Sequence, residues 1–211
     1  ETVWSITKDL CAALAYAHER HLIHADFKPG NIFVTSEGRA KVLDFGIARA
    51  ASKEAQKHKF DAGQLGALTP AYSTIEMIND EPISFSDDVY ALACVVYEML
   101  AGRHPYNHRS ALDALAKDSK PKRPLHINNT EWKVLQRGLA LKKKDRYTTI
   151  NEFADALFPK PVSLGVKIAI GLTTISVIGA SWFAYDQYQT QQELKIKIQS
   201  KMQQAQQCFN R

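Results

Sequence analysis

Residues 87–101 carry Val89-Tyr90-Ala91-Leu92-Ala93-Cys94-Val95-Val96-Tyr97-Glu98-Met99-Leu100, a strongly apolar run with a candidate cap at Ser84 or Ser86. It stops at Gly102, with Pro105 just beyond. A helix apolar nearly all round is a buried helix, so this one is expected at the centre of the fold. Over residues 3–20, Ile6, Leu10, Ala13, Leu14 and Ala17 recur at three- and four-residue steps, which predicts a helix with one core-facing stripe. Two shorter helices are predicted over 130–139 and 149–157, the second opened by a Thr149-x-x-Glu152 capping box. With 211 residues, 45% of them apolar, the chain can bury a core. The class is mainly α, and no internal repeat is present.

Ile32-Phe33-Val34 and Lys41-Val42-Leu43 are short β-prone runs separated by Thr35-Ser36-Glu37-Gly38, so they predict a small antiparallel hairpin. That hairpin would bring Asn31 and Asp44 to the same edge. Residues 47–70 lack periodicity and predict a long loop of the functional kind.

The chemistry concentrates in His24-Ala25-Asp26-Phe27-Lys28-Pro29-Gly30-Asn31 and, thirteen positions after Asn31, in Asp44-Phe45-Gly46. A carboxylate, an ammonium and an amide oxygen, joined by a second carboxylate from a nearby turn, can hold a metal-bound phosphate and receive a hydroxyl proton. The pattern H-x-D-x-K-x-x-N followed by D-F-G resembles the catalytic and metal loops of the eukaryotic-like (Hanks-type) serine/threonine protein kinases of bacteria. The resemblance implies a kinase-like C-lobe over residues 1–158, helical with the small hairpin carrying both loops, and the use of ATP and Mg²⁺. By the same resemblance Asp26 accepts or orients the proton of the substrate hydroxyl, and Lys28 contacts the transferring phosphate. Asn31 and Asp44 hold Mg²⁺, a hard cation that prefers oxygen ligands. Phe45 and Gly46 turn the chain after the metal ligand, and His24 packs beneath the loop.

The likeness continues downstream. Thr69-Pro70-Ala71-Tyr72 followed by Glu76 resembles the substrate-side loop ending in A-P-E, Asp88 opens the central helix as in D-V-Y-S, and Asp145-Arg146-Tyr147 resembles the arginine near the domain end. In the family Glu76 and Arg146 form a buried ion pair, Asp88 braces the catalytic loop, and Thr69 bonds near Asp26 and Lys28. The Lys28 pattern and the Thr69 loop imply protein substrates with Ser or Thr hydroxyls. There are also departures. Ala25 stands where the family places an arginine, which removes the cation that reads a phosphorylated activation loop. Ile75, Ser73, Ala93 and Leu68 replace proline, methionine, glycine and glycine. The chain opens on Glu1 and contains no Gly-rich loop, third-strand lysine or partner glutamate, so it is expected to be a C-terminal fragment without the N-lobe. Taken alone it is expected to bind Mg-ATP too weakly for activity. The alternative to a kinase is a pseudokinase, a membrane-anchored scaffold.

Pro159-Lys160-Pro161 break the helical pattern, and residues 168–185 carry no charge. At 1.5 Å per residue that span is roughly 27 Å, close to a bilayer core, and it ends in Trp182, Phe183 and Tyr185, as an interfacial belt does. A linker and single transmembrane helix are therefore expected over 159–187, although Ser, Thr and Gly dilute the run and a buried core helix is the competing reading. Over 188–211 the tail is Gln-rich, with Leu194, Ile198, Met202, Ala205 and Phe209 at helical steps. It reads either as an amphipathic extension or as a solvated helix. A second copy of the chain could pair through the transmembrane helix or the tail. Basic residues exceed acidic ones by 27 − 22 = 5, but they are dispersed apart from Lys142-Lys143-Lys144 and lack an aromatic-interleaved stripe, so no nucleic-acid partner is expected. Cys11, Cys94 and Cys208 are too far apart for a disulfide framework or a paired metal motif. A nucleotide-using domain must face the cytoplasm, which sets the expected location: cell membrane, single pass, kinase region cytoplasmic.

Overall fold

The structure is a computed structural model and describes residues 2–45, 49–50, 69–160 and 164–209, with side chains described in the last helix only for 176–192 and some positions up to 202. It divides into two units, Glu1–Pro159 and Lys160–Arg211.

In the first unit the apolar run forms helix α3, Phe85–Ala101. It starts where Asp87 Oδ2 accepts the Ser84 N–H at 2.6 Å. It ends where Gly102 takes φ +66°, a left-handed value that a glycine reaches without strain. Val89 through Val96 are all buried. Helix α1, Thr2–Glu19, lays Leu10 and Leu14 against this core. After two one-turn to two-turn helices, α2 (Ile75–Ile78) and α4 (Ala111–Ala116), come α5 (Asn129–Gly138) and α6 (Ile150–Leu157). These last two add Val134, Leu135, Ile150 and Phe153 to the same cluster. A Cβ on Gly138 would stand 2.9 Å from Ala93 Cβ and 3.0 Å from Phe153, so α5 approaches α3 as closely as only a glycine permits. That accounts for Ala93 being tolerated where the family has glycine: the space for its methyl comes from Gly138.

The hairpin pairs strands β2 (Ile32–Val34) and β3 (Ala40–Val42), with Ile32 opposite Val42 and Val34 opposite Ala40. The second strand therefore starts one residue earlier than predicted, because Leu43 leaves the ladder to donate to Asn31 O at 2.8 Å. Asp9 of α1 anchors the hairpin by accepting from Arg39 Nε, Arg39 Nη2 and Ala40 N, each at 2.9 Å. The Arg39 hydrogen bond, helped by Ala40, holds the Asp9 carboxyl below its ordinary range. A separate two-residue pairing sets Leu22–Ile23 (β1) antiparallel to Arg49–Ala50 (β4). Most of the predicted 47–70 loop lies outside the described residues.

The Thr149 capping box is only half formed. Thr149 Oγ1 accepts the Glu152 N–H at 3.2 Å, but the Glu152 carboxylate turns back one residue further, to Thr148 N at 3.0 Å. The reciprocal box stands instead at α5: Asn128 Oδ1 accepts the Glu131 N–H at 2.9 Å while Glu131 Oε2 accepts the Asn128 N–H at 2.7 Å.

Past Gly102 the chain makes a tight turn in which Asn107 and His108 adopt φ +53° and +56°. This strained geometry is held by His104, whose Nδ1 accepts the N–H groups of Tyr106 at 3.2 Å and His108 at 3.1 Å. Protonating that nitrogen would cost both bonds, and burial lowers the imidazole pKa to about 4. The unfolded chain takes up this proton from about pH 6.5 downward and the folded chain only near pH 4, so stability is full above that window and falls as pH drops through it. The expected loss is about 3 kcal/mol. Urea midpoints measured from pH 7 to pH 4 should show this loss in the wild type, and a smaller slope in His104→Asn, whose amide oxygen accepts without titrating. Equal slopes would refute the assignment.

The second unit is one helix, α7, running 46 residues over Leu164–Phe209. It runs without interruption through residue 187, where the membrane helix and the helical extension of the tail were expected to meet; nothing after Gly179 is a glycine or a proline, so no residue breaks the helix. Among the described residues no helix is long and apolar enough to cross a membrane. Beyond Tyr185 the helix turns polar at Asp186 and Gln187, and the first part of the predicted span, 168–175, lies where side chains are not described. Val177, Ile178, Trp182, Phe183, Tyr185 and Tyr188 are exposed.

Candidate active site

The site is built on a short 3₁₀ turn, Pro29–Asn31, in which proline presets the first position and the Asn31 N–H closes on Lys28 O at 3.0 Å. Asn31 is buried, and its Nδ2 donates to Asp26 O at 2.8 Å. This bond ties the two ends of the catalytic stretch together and leaves the amide oxygen of Asn31 as the face that can reach a cation. The Leu43 N–H on Asn31 O then sets Asp44 beside Asn31 at the hairpin's edge. Asp44 is exposed and takes φ +54°; it makes no hydrogen bond among the described residues. An amide oxygen and a solvent-facing carboxylate at one edge fit Mg²⁺, which binds through one or two protein oxygens and completes its shell with substrate phosphates and water.

Asp26, Lys28 and Thr69 form a closed cycle. Lys28 Nζ donates to Asp26 Oδ2 at 2.6 Å and to Thr69 Oγ1 at 2.8 Å, and the Thr69 hydroxyl donates to Asp26 Oδ1 at 3.2 Å. The Asp26 side chain is 8% exposed and that of Lys28 27%, so the carboxylate is fixed while the ammonium still faces outward. Each carboxylate oxygen thus has one protein donor and a second lone pair able to accept from an incoming hydroxyl.

Beneath the cycle His24 is fully buried. Its Nε2 sits 3.1 Å from Leu43 O and its Nδ1 accepts the Asp26 N–H at 3.4 Å, which fixes the tautomer with the proton on Nε2. The ring packs against Phe27 and, at 4.8 Å, against Phe45, so one imidazole connects the Asp26 stretch to the Asp44 turn. Gly46 lies outside the described residues. Asp88, at the start of α3, accepts the N–H groups of His24 at 2.9 Å and Ala25 at 3.0 Å. Between them Ala25 is held at φ +63°, a conformation a non-glycine residue rarely takes.

Glu76 and Arg146 make a separate buried cluster. Arg146 Nη2 pairs with Glu76 Oε2, while Nη1 reaches Ser86 O at 3.2 Å and Asp87 Oδ1 at 3.4 Å. Burial alone would raise the Glu76 carboxyl, but the guanidinium and the Lys143 N–H outweigh it and hold the group below its ordinary range. This cluster shares no hydrogen bond with Asp26; it ties α2, the start of α3 and the Lys143–Asp145 turn together.

Three contacts escaped the reading of the sequence. Asp9 with Arg39 and His18 with Asp88 join residues whose separation carries no signal. Glu98 carried one: it is the lone carboxylate in the apolar run, and it accepts the Tyr72 hydroxyl at 2.6 Å, fixing the segment after Thr69 to α3.

Comparison with known proteins agrees with this geometry. The family model described as "Protein kinase domain" matches residues 1–158. The chain is 35% identical to the probable serine/threonine-protein kinase PknB of Bifidobacterium longum, over 67% of this chain and 21% of that protein. It is 36% identical to the serine/threonine-protein kinase Pkn1 of Myxococcus xanthus, over 74% and 23%, and 32% identical to PknB of Mycobacterium tuberculosis, over 70% and 24%. It therefore spans less than a quarter of the length of these curated relatives. Among solved structures it resembles "PpkA-294 apo form" with a TM-score of 0.59 and 26% identity, covering 74% of this chain and 53% of that one.

Proposed function

Since this chain belongs to the protein kinase family, we propose that it is the C-terminal part of a serine/threonine kinase that moves the γ-phosphate of ATP onto Ser and Thr hydroxyls of proteins. The reading is carried by the closed cycle of Asp26, Lys28 and Thr69. Asp26 holds the substrate hydroxyl and draws off its proton, and Thr69 keeps the carboxylate turned toward it. Lys28 offers a compact ammonium to the phosphate oxygens, where charge accumulates in a loose transition state. Asn31 and Asp44 would hold Mg²⁺, whose chemistry there is to neutralise phosphate charge.

Ala25 bears on control. It is buried with Ile23 and Met77, where an arginine would otherwise reach toward a phosphorylated residue. Activity is therefore independent of activation-loop phosphorylation. The kinase region is cytoplasmic and held at the cell membrane by a single pass over 168–185, and a second copy can associate through α7. The uncharged run and its terminal aromatic residues support this reading. Resistance of the full protein to alkaline extraction from membranes tests it, and release into the supernatant would refute it. For the activity itself, the complete protein incubated with Mg-ATP and a generic basic protein should yield phosphoserine or phosphothreonine. Absence of any transfer would favour the scaffold reading.

A further inference from the structure

We propose that an open groove between the turn after α4 and the segment after α5 binds an acidic peptide segment of a partner protein, with an apolar side chain as its anchor. The site is separate from the Asp26 cycle and does not depend on the kinase reading. Asp118 to Pro121 line one wall, and Leu139 to Lys142 with Asp145 line the other, around a volume of about 390 Å³. The floor is apolar: Tyr106 and Leu139 are buried and Leu141 is half-buried. A concave site of this size with an apolar base and polar walls has the form of a ligand cleft.

Both walls are fixed before anything binds. The first is the C-terminal cap of α4, where Asp118 takes φ +45° while its N–H reaches Leu115 O at 3.1 Å and the Ser119 N–H reaches Ala114 O at 2.9 Å. The second is held by Asp145 N–H on Lys142 O at 3.0 Å and by Arg146 Nη2 on Leu141 O at 3.4 Å. The Tyr106 hydroxyl, donating to Leu139 O at 2.8 Å, pins the floor to the end of α5. Little ordering is left for binding to pay.

The occupant follows from the charge. Residues 117–122 carry Lys117, Lys120 and Lys122 against Asp118, and residues 142–145 carry three lysines against Asp145, all of them exposed. The two stretches sum to 6 − 2 = +4, whereas the whole chain sums to 27 − 22 = +5. Twenty residues separate them in sequence, and the fold sets them on opposite walls of one groove. Asp118 pairs with Lys120 at 3.1 Å, but both side chains are exposed, and such a pair is weak enough for an incoming carboxylate to replace. Carboxylates on the walls supply the complementary charge, and an apolar side chain on Leu139 and Leu141 supplies the anchor. A nucleic acid has no use for that aliphatic floor, since bases stack on exposed aromatic faces and Tyr106 is buried.

The probe is a fluorescein-labelled octapeptide with three glutamates on either side of two leucines. At about 50 mM salt it should bind the 211-residue chain saturably, and its counterpart with lysines for glutamates about tenfold more weakly or not at all. Lys120→Glu combined with Lys142→Glu should weaken binding about tenfold or more, with Lys120→Gln and Lys142→Gln as the comparison if charge reversal disturbs folding. Gln136→Trp, which fills the groove at constant charge, should weaken it about fivefold or more, as should serines in place of the two leucines. Lys195→Glu with Lys197→Glu in α7 should leave binding within about twofold, and bound peptide should slow amide exchange over residues 118–122 and 140–145. The proposal is overturned by absence of saturable binding, by indifference to the groove variants, or by an equal loss in the α7 variant. Tighter binding of a single-stranded oligonucleotide or of phosphatidylglycerol vesicles through Lys120 and Lys142 would give the face to a nucleic acid or a membrane, and overturn it as well.

Discussion

Replacing Asp26 with Asn in the complete protein is expected to abolish ATP-dependent phosphorylation of a generic basic protein, with a loss of about 10²- to 10⁴-fold in kcat from the removed proton acceptor alone. The cycle around Asp26 shows why the neutral amide cannot substitute. Lys28 donates to one carboxylate oxygen and Thr69 to the other, so both positions require acceptors. An asparagine offers one oxygen and one NH₂. If its oxygen faces Lys28, the NH₂ meets the Thr69 hydroxyl, which must turn to accept while it already accepts from Lys28. If the oxygen faces Thr69, the NH₂ meets the ammonium and drives it away from the phosphate position. Either arrangement disturbs Lys28 as well as removing the base, so the loss should fall on kcat more than on KM for ATP. The check is transfer of labelled phosphate from ATP, with thermal unfolding of the variant to show that the fold survives. Retained activity in D26N would sink the assignment of Asp26 as the group that receives the hydroxyl proton.

The group that this prediction addresses was legible because its chemistry is local. Asp26, Lys28 and Asn31 fall within six residues, and the hairpin needed to bring in Asp44 announces itself by two β-prone runs around turn residues. Helix α3 was legible for a similar reason: a long apolar run bounded by Ser84 and Gly102 has few alternatives. Helices α2 and α4, of four and six residues, are too short to show a period; each depends on a single capping hydroxyl, Thr74 or Ser110, which looks like any loop residue. What the sequence hid were partners fixed by tertiary packing. Asp9 meets Arg39 across 30 residues and His18 meets Asp88 across 70, and no spacing rule connects them. The helical steps from Leu194 to Phe209 made an extension past residue 187 legible, and α7 runs through that point because no helix breaker follows Gly179.

Arg146→Ala is expected to destabilise the 211-residue chain by about 3–5 kcal/mol, the cost of leaving a buried charge without its partner. The side chain is wholly buried, and its guanidinium serves Glu76, Asp87 and the carbonyls of Ser86 and Leu141 at once. Glu76→Ala should cost less, because Arg146 keeps Asp87 as a counter-charge at 3.4 Å. The two cases also differ in sign with pH. In the wild type burial raises the Glu76 carboxyl and Arg146 more than reverses this, so its stabilising contribution is present above the usual glutamate range and is lost only as pH falls below it. Without Arg146 the burial remains and only the backbone N–H groups still oppose it. The Glu76 carboxyl then moves up from its wild-type position, and protonating it relieves part of the penalty. The stability gap between wild type and R146A should therefore narrow as pH falls from 7 to 5, even though His104 weakens both proteins alike over that range and cancels in the difference. Urea midpoints of the two proteins at pH 7 and pH 5 measure the gap. A gap that stays constant or widens toward pH 5 would mean that Glu76 is not the group left stranded, and that the loss comes from the bonds to Ser86 and Leu141 instead.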